Sequence, residues 1–447
     1  MAVLPEYSSP AIDPATADRE RSDVLSELEK SLPVSAAGST VAEFLSSRPH
    51  LSAFSTPLLV LDDSALNGNV AQLAAWCADH GVGLAPHGKT TMAPALWQRQ
   101  LAAGAWGITL ANVSQLRVAA AFGVRRMMLA NALVDPNGLT WAARLLADRP
   151  QTTLLVWADN VDTVAAMDRV LAAAAATRPI DVLVELGGTG GRTGARSIEE
   201  ADRIAAAVTA SDHLRLAGVA GYEGALAHDA SAGAIAAVHE YLARLAEFHR
   251  GLLAAGTYQT DEIIVTAGGS AYFDDVAEVL GELATEGGGD SPAVRVLVRS
   301  GAYIIHDDGF YRTISPLSRA GTPLRSAMHA WARVVSRPEP GLALLDAGKR
   351  DIPFDEGLPE PQLVADDLGA PATPLTGAHV SAVNDQHAFL RIRADSTLRV
   401  GQVVRLGLSH PCTAFDKWRW IPVVPGETSG AATEADPVVV DLVRTHF

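Results

Sequence analysis

The strongest constraint on this chain is a rhythm. Between residues 83 and 304, eight apolar runs, most punctuated near their ends by Gly, Asn, Asp or His, alternate with Ala/Leu-rich segments. The runs lie at 83–89, 107–113, 126–133, 153–160, 181–188, 214–224, 262–270 and 294–304. The segments between them, such as 93–103, 161–176, 197–210 and 239–255, repeat apolar residues at helical spacing and are rich in strong helix formers. A continuously apolar strand has no polar face to turn to water, so it belongs in a sheet covered on both sides. Eight strand–helix units over about 220 residues predict a (β/α)8 TIM-type barrel, with a doubly wound open sheet as the competing arrangement.

Outside this rhythm the chain changes character. Residues 1–54 are rich in Ser, Pro, Asp and Glu and read as an N-terminal arm, helical in part near 23–31. The run 57–62 reads as a strand, with Ser64 as N-cap of the helix that follows. After residue 304 short β-rich runs bounded by Pro and Gly appear at 330–336, 342–346, 379–383, 388–392 and 402–408, while 353–376 reads as a long loop. The expected domains are therefore a barrel over 55–311 and a mostly-β domain over 312–447. Because strand 57–62 precedes the eight barrel strands, the β domain can claim it.

Composition narrows the function. A 48% hydrophobic chain of 447 residues is too apolar to be disordered, and 35 basic against 51 acidic residues give a net charge of -16. That balance argues against a nucleic-acid partner, since phosphate binding draws on clustered Lys and Arg. The apolar runs fall short of the roughly 18–20 residues of a membrane span, and the acidic first 30 residues hold no apolar secretory core. Two cysteines make no disulfide framework, so the reducing cytoplasm is the expected compartment.

In a barrel, reactive groups collect at the C-terminal ends of the strands. Those ends carry His87, Lys89, Asn112, Asn131, Asp159, Asn160, the glycine-rich stretch 187–194 with Arg192, Tyr222-Glu-Gly224, Gly268-Gly-Ser270 and Arg299. A lysine partly desolvated at a barrel mouth is an amine nucleophile able to form a Schiff base, although Lys89 can equally snorkel to the rim. The glycines before a helix near Asp274 suit an anion or an unliganded turn. The 187–194 stretch looks phosphate-like but lacks the lysine and spacing of a Walker loop. His410 and Cys412, one residue apart, can face one metal ion if the backbone is extended, or form a β-domain turn with a buried thiol. Cys77 reads as a core residue, and His213, His239 and His249 as surface residues.

The ordered set Thr56-Pro-Leu-Leu-Val-Leu-Asp62, Pro86-His-Gly-Lys-Thr90, Glu185 with Gly191-Arg-Thr-Gly194, Gly221-Tyr-Glu-Gly224, Gly268-Gly-Ser270, Arg299-Ser-Gly-Ala-Tyr303 and Ser409-His-Pro-Cys412 resembles the D-threonine aldolase and D-serine dehydratase family. The resemblance spans about residues 55–425 and covers pyridoxal-phosphate enzymes with the alanine-racemase barrel. It implies that Lys89 carries pyridoxal 5'-phosphate as a Schiff base, and that Gly268, Gly269 and Ser270 hold the phosphate. It places His87, Arg192, Tyr222, Arg299 and Tyr303 around the cofactor, with Tyr222 or Arg299 facing the pyridine ring. His410 and Cys412 become metal ligands, the thiolate favouring zinc over manganese. A homodimer acting on a small D-amino acid is also implied. The family's usual His and Lys after the Lys-Thr pair are Thr91 and Met92 here, and an acidic insertion spans 351–367. In these respects the chain resembles bacterial members called amino-acid deaminases.

The chemistry so implied is dehydration of a D-β-hydroxy amino acid to a keto acid and ammonia. Retro-aldol cleavage to glycine and an aldehyde is the alternative. Two further possibilities are a non-catalytic cofactor-binding protein and a racemase, which needs a second base.

Overall fold

In the computed structural model of the protein, described at residues 12, 19–227, 229–288, 292–426 and 436–447, the first strand, β1 (Leu58–Asp62), pairs with none of the eight that follow. Those eight are β2 (Gly83–Leu84), β3 (Ile108–Leu110), β4 (Arg126–Ala132), β5 (Thr153–Ala158), β6 (Ile180–Leu186), β7 (Leu214–Gly221), β8 (Glu262–Thr266) and β9 (Ala293–Val298). They form one parallel sheet in the order β2-β9-β8-β7-β6-β5-β4-β3. The sheet closes where Trp106 N–H donates to the Leu84 carbonyl at 2.7 Å and Thr109 N–H to Pro86 at 2.9 Å, with His87 bridged to Thr109. The open-sheet alternative is thereby set aside.

The barrel interior follows from side-chain alternation. Residues two apart, such as Leu155 and Trp157, share a face of β5 and join Trp106, Met128, Leu183, Ile264 and Leu297 in one buried cluster. Several polar strand ends are spent on helix starts. Asn112 accepts from Gln115 N–H at 3.0 Å and Asn160 from Thr163 N–H at 2.7 Å, each cap worth about 1 kcal/mol. These two side chains are caps rather than reactive groups. The helix over 63–79 starts at Asp63 and not after Ser64, because the Asp62 carboxylate accepts Ala65 N–H at 2.7 Å.

His249 corrects its surface assignment. The helix Ala232–Ala254 begins seven residues before the periodic stretch that signalled it, and its buried face runs through Val238, Tyr241, Leu242, Leu245, Phe248, His249 and Leu252. That spacing places His249 inside, with Nδ1 against the Tyr258 hydroxyl at 2.8 Å. His239 is half-buried beside Asp275 at 2.7 Å, and Cys77 is buried.

The second sheet takes β1 together with β10 (Met328–Glu339), β11 (Leu342–Leu345), β12 (Glu360–Ala365), β13 (Thr373–Pro374), β14 (His379–Val383), β15 (Ala388–Arg391), β16 (Val403–Gly407), β17 (Trp420–Val424) and β18 (Asp441–Arg444). Its main path is β13-β12-β16-β10-β1-β17-β18, with β1 antiparallel to β10 and parallel to β17. The stretch 353–376 is therefore not one loop: β12 pairs with β16, and the proline that hid it, Pro361, sits where the register is irregular.

Two compact units result, the second collecting residues 17–72, 90–99 and 302–447. The arm is structural from residue 19 onward. Leu25, Leu32, Phe44, Leu51 and Phe54 bury against Leu58, Val60, Val403, Trp420 and Leu442 of the same unit. Its α-helix is Val41–Ser46, started by a capping box between Thr40 and Glu43, and not the segment near 23–31. Among the described residues, no helix is long and apolar enough to cross a membrane.

Candidate active site

At the barrel mouth, β2 is only two residues long, and the chain turns through a 3-10 helix at Gly88–Thr90. Lys89 lies on that turn with an exposed side chain, where the sequence suggested a partly desolvated one. His87 is half-buried, and its Nδ1 is shut off from water without a hydrogen-bond partner. Desolvation, then the charges of Lys89, Arg299 and Arg192, push its pKa well below the usual imidazole range. The ring is therefore a neutral group facing three cations.

Arg299 is the buried member of this group. Its guanidinium donates to the Thr266 hydroxyl at 2.6 Å and the Gly221 carbonyl at 2.6 Å, and lies 4.9 Å from the Trp157 ring centroid. Desolvation lowers its pKa, opposed by Glu223, Tyr241 and Glu185. Glu185, at the end of β6, is raised mainly by burial, while the Thr193 hydroxyl donating at 2.8 Å favours its ionised form. Arg192 is exposed, its guanidinium 5.1 Å from the Tyr222 ring centroid. Tyr222 is positioned through its backbone, whose N–H donates to the Tyr241 hydroxyl at 2.9 Å.

Two residues shape the glycine-rich loops: Glu223, a polar strand end for which the sequence suggests no role, and Arg196, which it does not single out. Glu223 is fully buried, and its carboxylate accepts Gly268 N–H at 2.8 Å and Gly269 N–H at 2.9 Å. The two amides expected to meet a phosphate thus meet a resident carboxylate. Arg196 gathers the carbonyls of Thr193 at 2.7 Å, Arg192 at 2.8 Å, Gly194 at 2.9 Å and Gly191 at 3.2 Å. Gly194 has φ +98°, and a Cβ there would sit 2.3 Å from Gly187 N. Four Arg196 contacts and the close approach of Gly194 to Gly187 thus make 187–194 a braced turn. A motif reading finds neither partner, because both depend on contacts that only the folded turns create.

The barrel mouth suits an anionic ring-bearing group. It brings the exposed residues Lys89 and Arg192, an orphaned imidazole nitrogen on His87 and the buried Arg299 to the ends of the barrel strands. Ser270, half-buried, adds a hydroxyl beside the two glycines.

Tyr303, His410 and Cys412 belong to the second unit. Tyr303 is buried in the 3-10 turn Ala302–Ile304. His410 has extended backbone (φ -151°, ψ 102°), but Pro411 at once starts the short helix Pro411–Phe415, so Cys412 is helical and not on an extended strand. The two side chains still meet. Burial opposes charge on His410, yet hydrogen bonding and attraction from Cys412, then from Asp355, raise its pKa to about 9. Cys412 Sγ also donates to the Thr90 hydroxyl at 3.5 Å within the same unit, and Thr90 directly follows Lys89 in the chain. An imidazole and a thiol gathered on one turn are a donor pair suited to zinc. His239, Asp275 and Glu278, in the barrel unit, form another set of ligand types within 4.8 Å of one another.

Comparison with known proteins matches these two parts separately. Residues 61–279 match the family described as "Alanine racemase, N-terminal domain", and residues 327–424 the "Putative serine dehydratase domain". The chain is 29% identical over 366 residues to a D-threonine aldolase of Arthrobacter sp, covering 81% of this chain and 86% of that one. Among solved structures it resembles a D-threonine aldolase from Filomicrobium marinum (TM-score 0.69, 25% identity, 88% and 96% of the two chains). It shares its fold with D-threo-3-hydroxyaspartate dehydratase from Delftia sp. HT23 (TM-score 0.67, 20% identity, 89% and 99%).

Proposed function

We propose, for a chain that belongs to the D-threonine aldolase and D-serine dehydratase family of pyridoxal-phosphate lyases with the alanine-racemase fold, that it is a zinc-dependent dehydratase of D-β-hydroxy amino acids. D-Serine or D-threonine would yield the 2-keto acid and ammonia. The observation that carries this reading is the pairing of His410 with Cys412. A thiolate ligand favours zinc over magnesium or manganese, and zinc supplies Lewis acidity to a hydroxyl leaving group.

Lys89 would hold the cofactor, which when bound supplies an electron sink that makes the Cα proton of an amino acid removable. Ser270 would contribute to the phosphate site in place of the Gly268 and Gly269 amides that Glu223 occupies. Arg192 and Tyr222 would line the ring, with the neutral His87 beside them. Arg299 would face the ring nitrogen as a pre-fixed cation, held by Thr266 and Gly221, and Tyr303 would serve the same cofactor, as the family resemblance implies. The Lys89 amine would take the Cα proton, a role that suits an uncharged amine beside the reacting carbon. His410 and Cys412 would bind the metal and leave the β-hydroxyl as the group lost. The working form in this proposal is a cytoplasmic homodimer.

Retro-aldol cleavage is the second reading, favoured by the similarity to D-threonine aldolases. Product analysis separates the two. Incubation with D-threonine should release 2-keto acid and ammonia, whereas glycine plus aldehyde without keto acid would assign the aldolase.

A further inference from the structure

The acidic insertion that the family resemblance leaves unexplained is tied down at two points in its first half. At its start Asp351 is buried and accepts Gly348 N–H at 2.9 Å, Gln386 Nε2 at 3.1 Å and the Lys30 ammonium at 2.7 Å. Its backbone carbonyl accepts the Trp418 indole N–H at 2.8 Å. Further along, the Gly357 carbonyl accepts the hydroxyl of Ser409, the residue before His410, at 2.8 Å. Gly357 has φ +125°, a conformation L side chains rarely adopt. Between these tethers stands Asp355. One carboxylate oxygen lies 2.6 Å from His410 Nδ1, and the other accepts the Thr413 hydroxyl at 2.7 Å.

From this geometry, and resting on the metal reading of His410 and Cys412, we infer that Asp355 is a positioning residue for the metal pair, fixing the His410 ring through Nδ1 so that Nε2 serves as the ligand atom. An imidazole that donates Nδ1–H to a carboxylate keeps its lone pair on Nε2, and the carboxylate raises the basicity of that nitrogen. Thr413 orients the carboxylate in turn, so two contacts set the ring before any ion arrives. Asp355 acts through His410 and not as a third ligand. Among the described residues, the set whose ligand atoms converge within 4.8 Å is His239, Asp275 and Glu278, and Asp355 does not join His410 and Cys412 in such a set.

The test is zinc affinity of the cofactor-loaded protein, measured by competition with a chromogenic chelator, together with the visible spectrum of the cobalt(II)-substituted protein. Asp355→Ala should weaken zinc about 10–100-fold, the range typical of lost outer-shell partners. It should also alter the cobalt ligand-field bands while the cofactor absorbance stays intact. Asp355→Asn, which preserves shape, should fall between Ala and wild type, and Asp355→Glu should recover part of the loss. Zinc affinity unchanged in both Asp355→Ala and Asp355→Asn overturns the inference while leaving the metal pair standing. If wild type takes no zinc, or Cys412→Ala binds it as tightly as wild type, the metal reading falls and this inference with it.

Discussion

The barrel mouth and the His410 turn build function in opposite ways. At the mouth, Arg299, Glu185 and Glu223 are ionisable groups buried among partners from strand ends and the loops beyond them: Thr266, Gly221, Thr193, Gly268 and Gly269. The His410 turn is half open to water and held by a few side-chain contacts, from Asp355 and the Gly357 carbonyl on one loop and from Thr90 on another. Buried charges are costly to leave without partners, so the mouth should tolerate little change. On the proposed metal reading, the turn can lose its ion and keep its fold. Cofactor binding and metal binding should therefore fail separately.

The largest effect is expected at Lys89. Lys89→Ala should remove the cofactor's visible absorbance and lower activity by on the order of 10^2–10^4-fold, the usual worth of a positioned base; a retained band would remove Lys89 from the central role. Cys412→Ala should come next, costing roughly a hundredfold in β-elimination with the cofactor band unchanged. Loss of both signals together would erase the separation between the two regions. Glu223→Gln tests the mouth's rigidity. It puts an amide donor against two buried amide donors and should cost about 2 kcal/mol in denaturant unfolding. A neutral result would mean that the Gly268 and Gly269 amides find another acceptor.

The smallest effect concerns pH and belongs to the barrel alone. Burial holds His249 down to about 4, whereas an exposed histidine titrates near 6.5. The unfolded chain thus takes the proton first, so this stability is present above about pH 6.5 and drains away as pH falls towards 4. Between pH 6.5 and 5 the loss should be about 1.5–2 kcal/mol by linkage. His249→Gln should flatten that slope, and an unchanged slope would assign the acid sensitivity elsewhere.

Legibility in the sequence divides along the same line. The barrel was readable because a strand buried on both faces must be continuously apolar, which leaves the same mark eight times. The His410-Pro-Cys412 pair was readable as a motif, while the helix that Pro411 starts takes Cys412 off the extended backbone the motif suggested. Strand β12 was obscured by Pro361 and its acidic surroundings, a composition more usual in loops, and the proline is accommodated where the register is irregular. Glu223 lay in a quoted motif and Asp355 in the acidic insertion, but neither these two nor Arg196 carried a local sign of its partner. Each matters through a contact made only after folding, and Asp355 reaches a residue 55 positions away. His249 is the instructive miss, since its place on the Val238–Leu252 face was available from spacing alone.

The central claim is that this lyase uses its cofactor and a zinc ion at His410 and Cys412 to expel a β-hydroxyl. It is tested most directly by stripping the purified protein with a chelator and restoring zinc, while ammonia and keto acid are measured from D-serine and D-threonine. The account predicts that keto acid and ammonia vanish on stripping and return with zinc, the cofactor absorbance staying constant throughout. Keto acid formation that ignores the chelator would contradict it.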